Sequence, residues 1–245
     1  MESLIRTIYW IIVAYFILGA VGFFFINRNK KPAEARKSWI KYGTYCVIIH
    51  ILFFSMVIYP LIFRCLSVLI IGMGCYELFV LYRKSGYRQT LFFLLSIGVF
   101  SVFSMGFFLF GGLDKGQILF VFLVLSVFDS FSQISGQLWG RRKIVPKISP
   151  QKTWEGLAGG ILTALISAVF FDGLIGVPPL KAIQLAAGIV IFAFIGDILA
   201  SLYKRKFKVK DFSRLIPGHG GFLDRFDSLI AGGAWIALLK FVIYS

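Results

Sequence analysis

Apolar residues in this chain gather into long runs separated by short polar connections. Runs that reach or approach the roughly 20 residues a helix needs to cross a bilayer lie at about 8–26, 42–62, 66–82, 91–110, 118–138, 156–172, 182–200 and 226–244. This pattern predicts an all-α integral membrane protein, a polytopic bundle of about eight transmembrane helices whose chemistry sits in cytoplasmic loops. A single polytopic domain is expected over residues 1–245, with N-terminal helices in 1–110 and a catalytic part in 111–245. The first run is followed by "NRNKK" and not by a small-residue cleavage site, so it is expected to remain as a span rather than be removed as a signal peptide.

Composition agrees with the pattern. The chain is 58 % hydrophobic with a mean hydropathy of +0.85, whereas soluble domains hold about 45–50 % apolar residues. Cys46, Cys65 and Cys75 fall in apolar segments without metal-type spacing and are expected to be inert core thiols.

Charge adds a direction. The connections at 27–41, 83–90, 139–155 and 201–225 carry 21 of the 26 Lys and Arg residues. Arg6, Arg64, Lys115, Lys181 and Lys240 are scattered over the other connections and the ends. By the positive-inside rule the basic connections are expected to be cytoplasmic and both termini external. The net charge of +15 therefore belongs to one face, where it suits anionic membrane lipids as partners. No recognition module or interleaving of aromatic and basic residues supports a nucleic-acid partner.

Carboxylates sit where a bilayer penalises them. Glu77, Asp129 and Asp197 interrupt or end apolar runs, and Asp224 and Asp227 open the last one. An acid at the middle of a span costs about 2.5–3.5 kcal/mol on insertion scales, so such groups usually face a partner, a cavity or a metal. Asp129 and Asp197 are expected near the cytoplasmic ends of their helices. Asp224 and Asp227, three apart, share a helix face. Their spacing fits a shared cation, and equally a pair of first-turn acids with Asp224 as cap. Ahead of them, "PGHGG" at 217–221 supplies small residues before a helix N-terminus, an arrangement suited to phosphate. Carboxylates holding Mg²⁺ beside such a loop would make a nucleoside triphosphate site.

These residues resemble a known family. "SLYKRKFKVKDFSRLIPGHGGFLDRFD", residues 201–227, closely resembles the signature of the phosphatidate cytidylyltransferases, also called CDP-diacylglycerol synthases. "DSFSQISGQLWGRRKIVPKISPQKTWEG", residues 129–156, looks like a second block of that family, and Glu77 in "YELFVL" is similar to a glutamate of its earlier helices. The chain departs from the usual pattern at Tyr203, Lys206, Phe128 and Phe131, and at Ala200, where many members carry an acid. The resemblance implies cytidylyl transfer from CTP to phosphatidate, giving CDP-diacylglycerol and pyrophosphate. It implies Mg²⁺ on Asp224, Asp227, Asp197 and Asp129, with a second cation admissible. It assigns Asp197, Lys204, Lys210, Asp224 and Asp227 to catalysis, and Lys152, Ser201, Arg205, His219, Gly220, Gly221 and Arg225 to substrate. Glu155 is expected to complement a helix dipole.

The same analogy, with no long soluble extension ahead of the first run, gives the expectation of a bacterial plasma membrane; a homodimer is admissible. Two rivals remain at this stage. One is CTP-dependent activation of another lipid, either cytidylyl transfer to a different lipid phosphate or a polyprenol or phytol kinase, the kinase route releasing CDP. The other is a transporter or scaffold that has lost catalysis. "SPQK" at 149–152 fits the SxxK pattern of penicillin-recognising enzymes, but the companion motifs are missing.

Overall fold

A computed structural model describes residues 2–28 and 31–244. Asn29 and Lys30, which the charge count placed in the first basic connection, lie outside the described residues. Eight α-helices follow one another: α1 (Glu2–Arg28), α2 (Pro32–Val57), α3 (Pro60–Lys84), α4 (Thr90–Phe110), α5 (Lys115–Trp139), α6 (Trp154–Phe170), α7 (Pro179–Lys206) and α8 (Leu223–Tyr244). The helices α1, α2, α3, α4, α5 and α7 are long and apolar enough to cross a membrane. The shorter α6 has 17 residues, and α8 carries Asp224 in its first turn with Asp227 just beyond it. The expected all-α integral membrane bundle is therefore present.

Three details differ from the expectation. The connection at 139–155 contains an antiparallel hairpin, β1 (Lys143–Val145) with β2 (Ser149–Thr153), in which Lys143 pairs with Thr153 and Val145 with Ser149. Proline at the start of α2 and α7 suits a first helical turn, where its missing N–H is not needed, and α2 consequently begins early enough to carry Arg36, Lys37 and Lys41. Asp129 and Asp197 lie well inside α5 and α7, about 15 Å and about 14 Å from the C-terminal ends at 1.5 Å per residue, rather than near those ends.

Helix α5 is the centre of the bundle. Every residue from Ile118 to Leu125 is buried, and α7 and α8 supply Ile189, Val190, Ala193, Ile230 and Ala234 to the same core. Small residues set the close approaches. A Cβ on Gly160 would lie 2.8 Å from the Phe128 carbonyl oxygen, and one on Gly156 would lie 2.8 Å from the Ser132 carbonyl and 3.0 Å from Gly136 Cα. Gly156 and Gly160 thus form a GxxxG seam against Ser132 and Gly136 of antiparallel α5. Gly106 of α4 meets Ala234 of α8 in the same way. Where α6 starts, the Thr153 side chain caps it by accepting the Gly156 amide at 3.1 Å, and Glu155 accepts the amides of Arg141 and Arg142. The hairpin is thereby tied to both helices that flank it.

The basic connections meet at one end. Arg205 Nε donates to the Ile148 carbonyl at 3.0 Å, Lys206 lies over the Phe92 ring, and Lys41 packs against Gly218. At the other end Lys240 donates to Gln117 Oε1, and Arg64 lies over Phe108. A test of the seam is Gly160→Leu, which has no room against α5. We expect it to cost about 1–3 kcal/mol, the usual price of overpacking, seen as a lower melting temperature in detergent. Ala158→Leu, on the exposed side of α6, should leave the melting temperature unchanged. Equal melting of the two variants would contradict the seam.

Candidate active site at the basic end of the bundle

The two sequence blocks meet at the Arg205–Ile148 hydrogen bond and around Asp197, which lies one turn ahead of the later block. Lys152, on β2, forms an ion pair with Asp197 of α7, and the same ammonium lies over the Phe194 ring at 4.8 Å. Ser201, one turn on from Asp197, donates to its other oxygen at 3.4 Å. Another turn on, Lys204 donates to Asp224 Oδ1 of α8 at 2.7 Å. Asp197, Ser201 and Lys204 thus run along one face of α7 at helical spacing; Asp197 connects α7 to β2 and Lys204 connects it to α8, while Ser201 braces Asp197 within the helix.

The loop from Phe207 to Phe222 is held from below. Glu77, 1 % exposed on α3, accepts Ser213 Oγ at 2.6 Å and the Phe222 amide at 2.9 Å on Oε1, and the Leu223 amide at 2.8 Å on Oε2. Three donors and no acceptor among these partners is the pattern of a carboxylate. Two of the donors belong to the N-terminal turn of α8, whose amides have no intrahelical partner. Asp224 Oδ2 takes the Phe212 amide at 2.8 Å and the Gly221 amide at 2.9 Å. Tyr203 ties α7 to α3 by donating to the Leu78 carbonyl at 2.7 Å and stacks with Phe92 and Phe212. This explains how an aromatic residue is accommodated at that position of the signature.

Glycine is required at the top of the loop. Gly218 and Gly220 have φ of +76° and +86°, and a Cβ on Gly220 would press on Asp224 Oδ2 at 2.7 Å. The Ile216 amide donates to the Gly220 carbonyl and the His219 amide to the Ile216 carbonyl, closing a tight turn. His219 stacks on Tyr45 of α2 at 6.2 Å between ring centroids, and Arg225 Nε donates to the His219 carbonyl. Burial holds the His219 imidazole below its ordinary range, and the positive charges of Arg225 and Lys41 push the same way against the Pro217 carbonyl. The ring is accordingly neutral near pH 7, and it offers a phosphate a hydrogen bond rather than a charge.

The signature acids fall into two kinds. Asp224 has its oxygens occupied by an ammonium and two amides, and Asp197 by Lys152 and Ser201. Among the described residues Asp227 accepts only the neighbouring Ser228 amide, at 2.8 Å. Asp129 faces open space and, among the described residues, has no hydrogen bond or ion pair. Asp129, Asp197 and Asp227 lie within electrostatic reach of one another, with Lys152, Arg225 and Lys204 as the nearby cations. Among the described residues no three acids, histidines or cysteines are grouped closely enough to hold a metal by themselves.

Most of the expected site residues therefore come together. Lys210 is exposed on the loop and joins none of these contacts. The Gly221 amide, expected to face phosphate, is spent on Asp224, and Arg205 uses Nε and Nη1 on the carbonyls of Ile148 and Val209. Glu77 and Tyr45 were not among the expected site residues. Glu77 was visible as a lone acid in an apolar run; Tyr45 gave no signal.

The family's sequence profile matches residues 4–243, under the description cytidylyltransferase family. The chain belongs to the cytidylyltransferase family. It is 41 % identical over 132 residues to a phosphatidate cytidylyltransferase of Haemophilus influenzae, which covers 51 % of this chain and 46 % of the relative. The corresponding enzyme of Bacillus subtilis is 38 % identical over 123 residues, 48 % of this chain and 46 % of the relative. An Escherichia coli protein, YnbB, whose name states no activity, is 36 % identical over 195 residues, 67 % of this chain and 64 % of its own length. The chain thus spans about half the length of the two named enzymes.

The partner-filled state of Asp224 makes a distinction testable. Its side chain is 3 % exposed and that of Lys204 12 %, and removing one member of a buried pair typically costs about 3–5 kcal/mol. Asp224→Asn also turns an acceptor toward donors. We expect a marked fall in melting temperature, on the order of 3 kcal/mol, whereas Asp227→Asn should leave melting nearly unchanged. Equal stability of the two variants would contradict the division. The imidazole gives a second test. Its folded pKa lies below its unfolded one, so its contribution to stability is complete above about pH 6.5 and is lost as pH falls through the folded value. His219→Gln should flatten that acid-side decline; an identical pH profile would refute it.

Proposed function

We propose that the chain is a phosphatidate cytidylyltransferase, which transfers the cytidylyl group of CTP to phosphatidate and releases pyrophosphate. The observation that carries this reading is the convergence of the two signature blocks at the end of the bundle where the basic loops collect, directly through the Arg205–Ile148 hydrogen bond and through Asp197, one turn ahead of Ser201, which pairs with Lys152. Both substrates are polyanions, and one of them is a lipid. An acidic cluster with Lys152, Lys204 and Arg225 within electrostatic reach, at the basic end of a membrane bundle, suits that pairing.

The phosphatidate phosphate oxygen attacks the α-phosphorus of CTP, a phosphorus–oxygen bond forms there, and the bond to the β-phosphate oxygen breaks. The protein has no covalent step to perform; it positions the two phosphates in line and stabilises the developing charge. Lys152 and Lys204 are fixed for this by Asp197 and Asp224, which hold each ammonium at the cluster. Arg225, Lys210 and Arg214 supply further exposed positive charge on the signature segment. His219 and Tyr45 form the wall beside the Gly218–Gly220 turn.

The donor set fits Mg²⁺ of the substrate-bridged kind, which takes one or two protein carboxylates with phosphates and water filling the rest. Asp227 and Asp129 are the carboxylates with oxygens to spare, and Asp197 lies beside them. Bound there, the ion would neutralise the triphosphate and the leaving pyrophosphate. Asp224 organises the loop and Lys204 in this account.

We place the protein in the plasma membrane of a bacterium with the basic end cytoplasmic, the side on which CTP is made. The charge asymmetry and the bacterial relatives support this placement. Single-cysteine probes at Ser149 and Ser213 should both be labelled from the cytoplasm; labelling from opposite sides would refute it.

The reaction is tested with purified protein in detergent, given CTP, Mg²⁺ and phosphatidate. Pyrophosphate and CDP-diacylglycerol should form together, whereas release of CDP would indicate a kinase. Asp227→Asn should lower the rate on the order of 100-fold, the scale of one lost preorganised electrostatic contact, with the protein still folded. Near-normal turnover in that variant would overturn the assignment of Asp227.

A further inference from the structure

A cavity of about 260 Å³ lies between α4, α7 and α8, and the reaction as described does not use it. Its inner wall is buried and apolar: Leu78, Phe212, Leu223 and Ile230 are each at most 4 % exposed. Its rim is different. Leu95 and Val99 of α4 are 62 % and 45 % exposed, and Leu199 of α7 is 37 % exposed. On a bundle that spans a membrane, exposed apolar side chains of this kind face lipid tails, so the cavity opens sideways into the bilayer. Water has little reason to fill it, since an apolar cavity offers too few polar partners.

The wall carries one charged residue among the described residues, Asp227. That carboxylate also belongs to the acid cluster, within electrostatic reach of Asp197 and Asp129. The cavity and the cluster therefore share a boundary, apolar on one side and polar on the other. A molecule that occupied both would be amphipathic, with a charged head at the cluster and an apolar tail that reaches the bilayer through the rim. Two features limit the space for the tail. Gly196 and Ala231 lie so close that a Cβ on Gly196 would sit 2.6 Å from that of Ala231, which closes the cavity on that side. Ala200, half-buried on the wall of α7, presents only a methyl group.

We propose that this cavity receives one acyl chain of the lipid substrate, and that Ala200 sets how much chain it admits. The inference rests on the cytidylyltransferase reading for the identity of the head group. It adds a chain-binding site that adjoins the phosphate machinery at Asp227, with selectivity for chain length residing in α4 and α7.

The experiment compares dioleoyl and dihexanoyl phosphatidate as substrates of the wild-type chain, Ala200→Leu and Val99→Trp. Val99 faces lipid, so its replacement blocks the rim without touching the core. Both variants should turn over the long-chain lipid at least tenfold more slowly through a raised KM, and the short-chain lipid within about twofold of wild type. Equal loss on both lipids, or no loss on either, overturns the proposal. A labelling arm works without turnover. Phosphatidate with a diazirine near its chain end should label the Leu95–Val99 peptide, and Ala200→Leu should abolish the label. Equal labelling by phosphatidylcholine bearing the same chain would mean a bulk lipid occupies the cavity, and would overturn the proposal. Wild-type protein inactive on both phosphatidates, yet labelled selectively by phosphatidate, would sink the proposed reaction and uphold the chain site.

Discussion

The structure depends on a single acid placed inside the membrane. Glu77 sits on a helix otherwise suited to lipid, and leaving its charge unpaired there would be costly. Three donors from one distant segment remove that cost: the Ser213 hydroxyl and the amides of Phe222 and Leu223. The exchange works in both directions, because a helix N-terminus buried without partners is also unfavourable. Each side needs the other, and the meeting point sets where α8 begins. Everything the signature loop does follows from that position, including the turn at Gly218–Gly220 and the distance from Lys204 to Asp224.

Around this anchor the charges are sorted by burial. Asp224 is nearly enclosed and its oxygens are taken by Lys204 and two amides, so it acts as structure. Lys152 and Asp197 are more open, and their pairing joins the hairpin to α7 without sealing the cluster. Asp129 and Asp227 retain free oxygens beside open space. This gradient from closed to open separates the acids that hold the loop from those with oxygens to spare. The glycine seam between α5 and α6 serves the same end, because it brings the hairpin, and with it Lys152, close to α7.

Much of the helical architecture was legible because apolar run length is a direct record of the bilayer. The hairpin was not, since "KIVPKISPQKT" is short, basic and interrupted by two prolines, and no alternation marks it as paired strands. The convergence of the two blocks followed from family resemblance and the alternating charges, and the Lys152–Asp197 pair agrees with it. The use of individual groups was less legible. The small residues of "PGHGG" suggested free amides for an anion, but the Gly221 amide goes to Asp224, and the next two go to Glu77, some 145 positions away. Local spacing cannot report a partner that distant. The DxxD pair shows the same limit: its spacing left a shared cation and a capping role equally open, and the structure gives the two acids different surroundings.

The central claim is that Glu77 holds the signature loop and the start of α8 in place. Hydrogen exchange on the detergent-solubilised protein tests it most directly, by comparing wild type with Glu77→Gln, which keeps the size of the side chain but turns a donor toward the loop. The account predicts that the Phe222 and Leu223 amides lose protection by an order of magnitude or more, while the α5–α6 seam exchanges as before. Unchanged protection at both amides would contradict it.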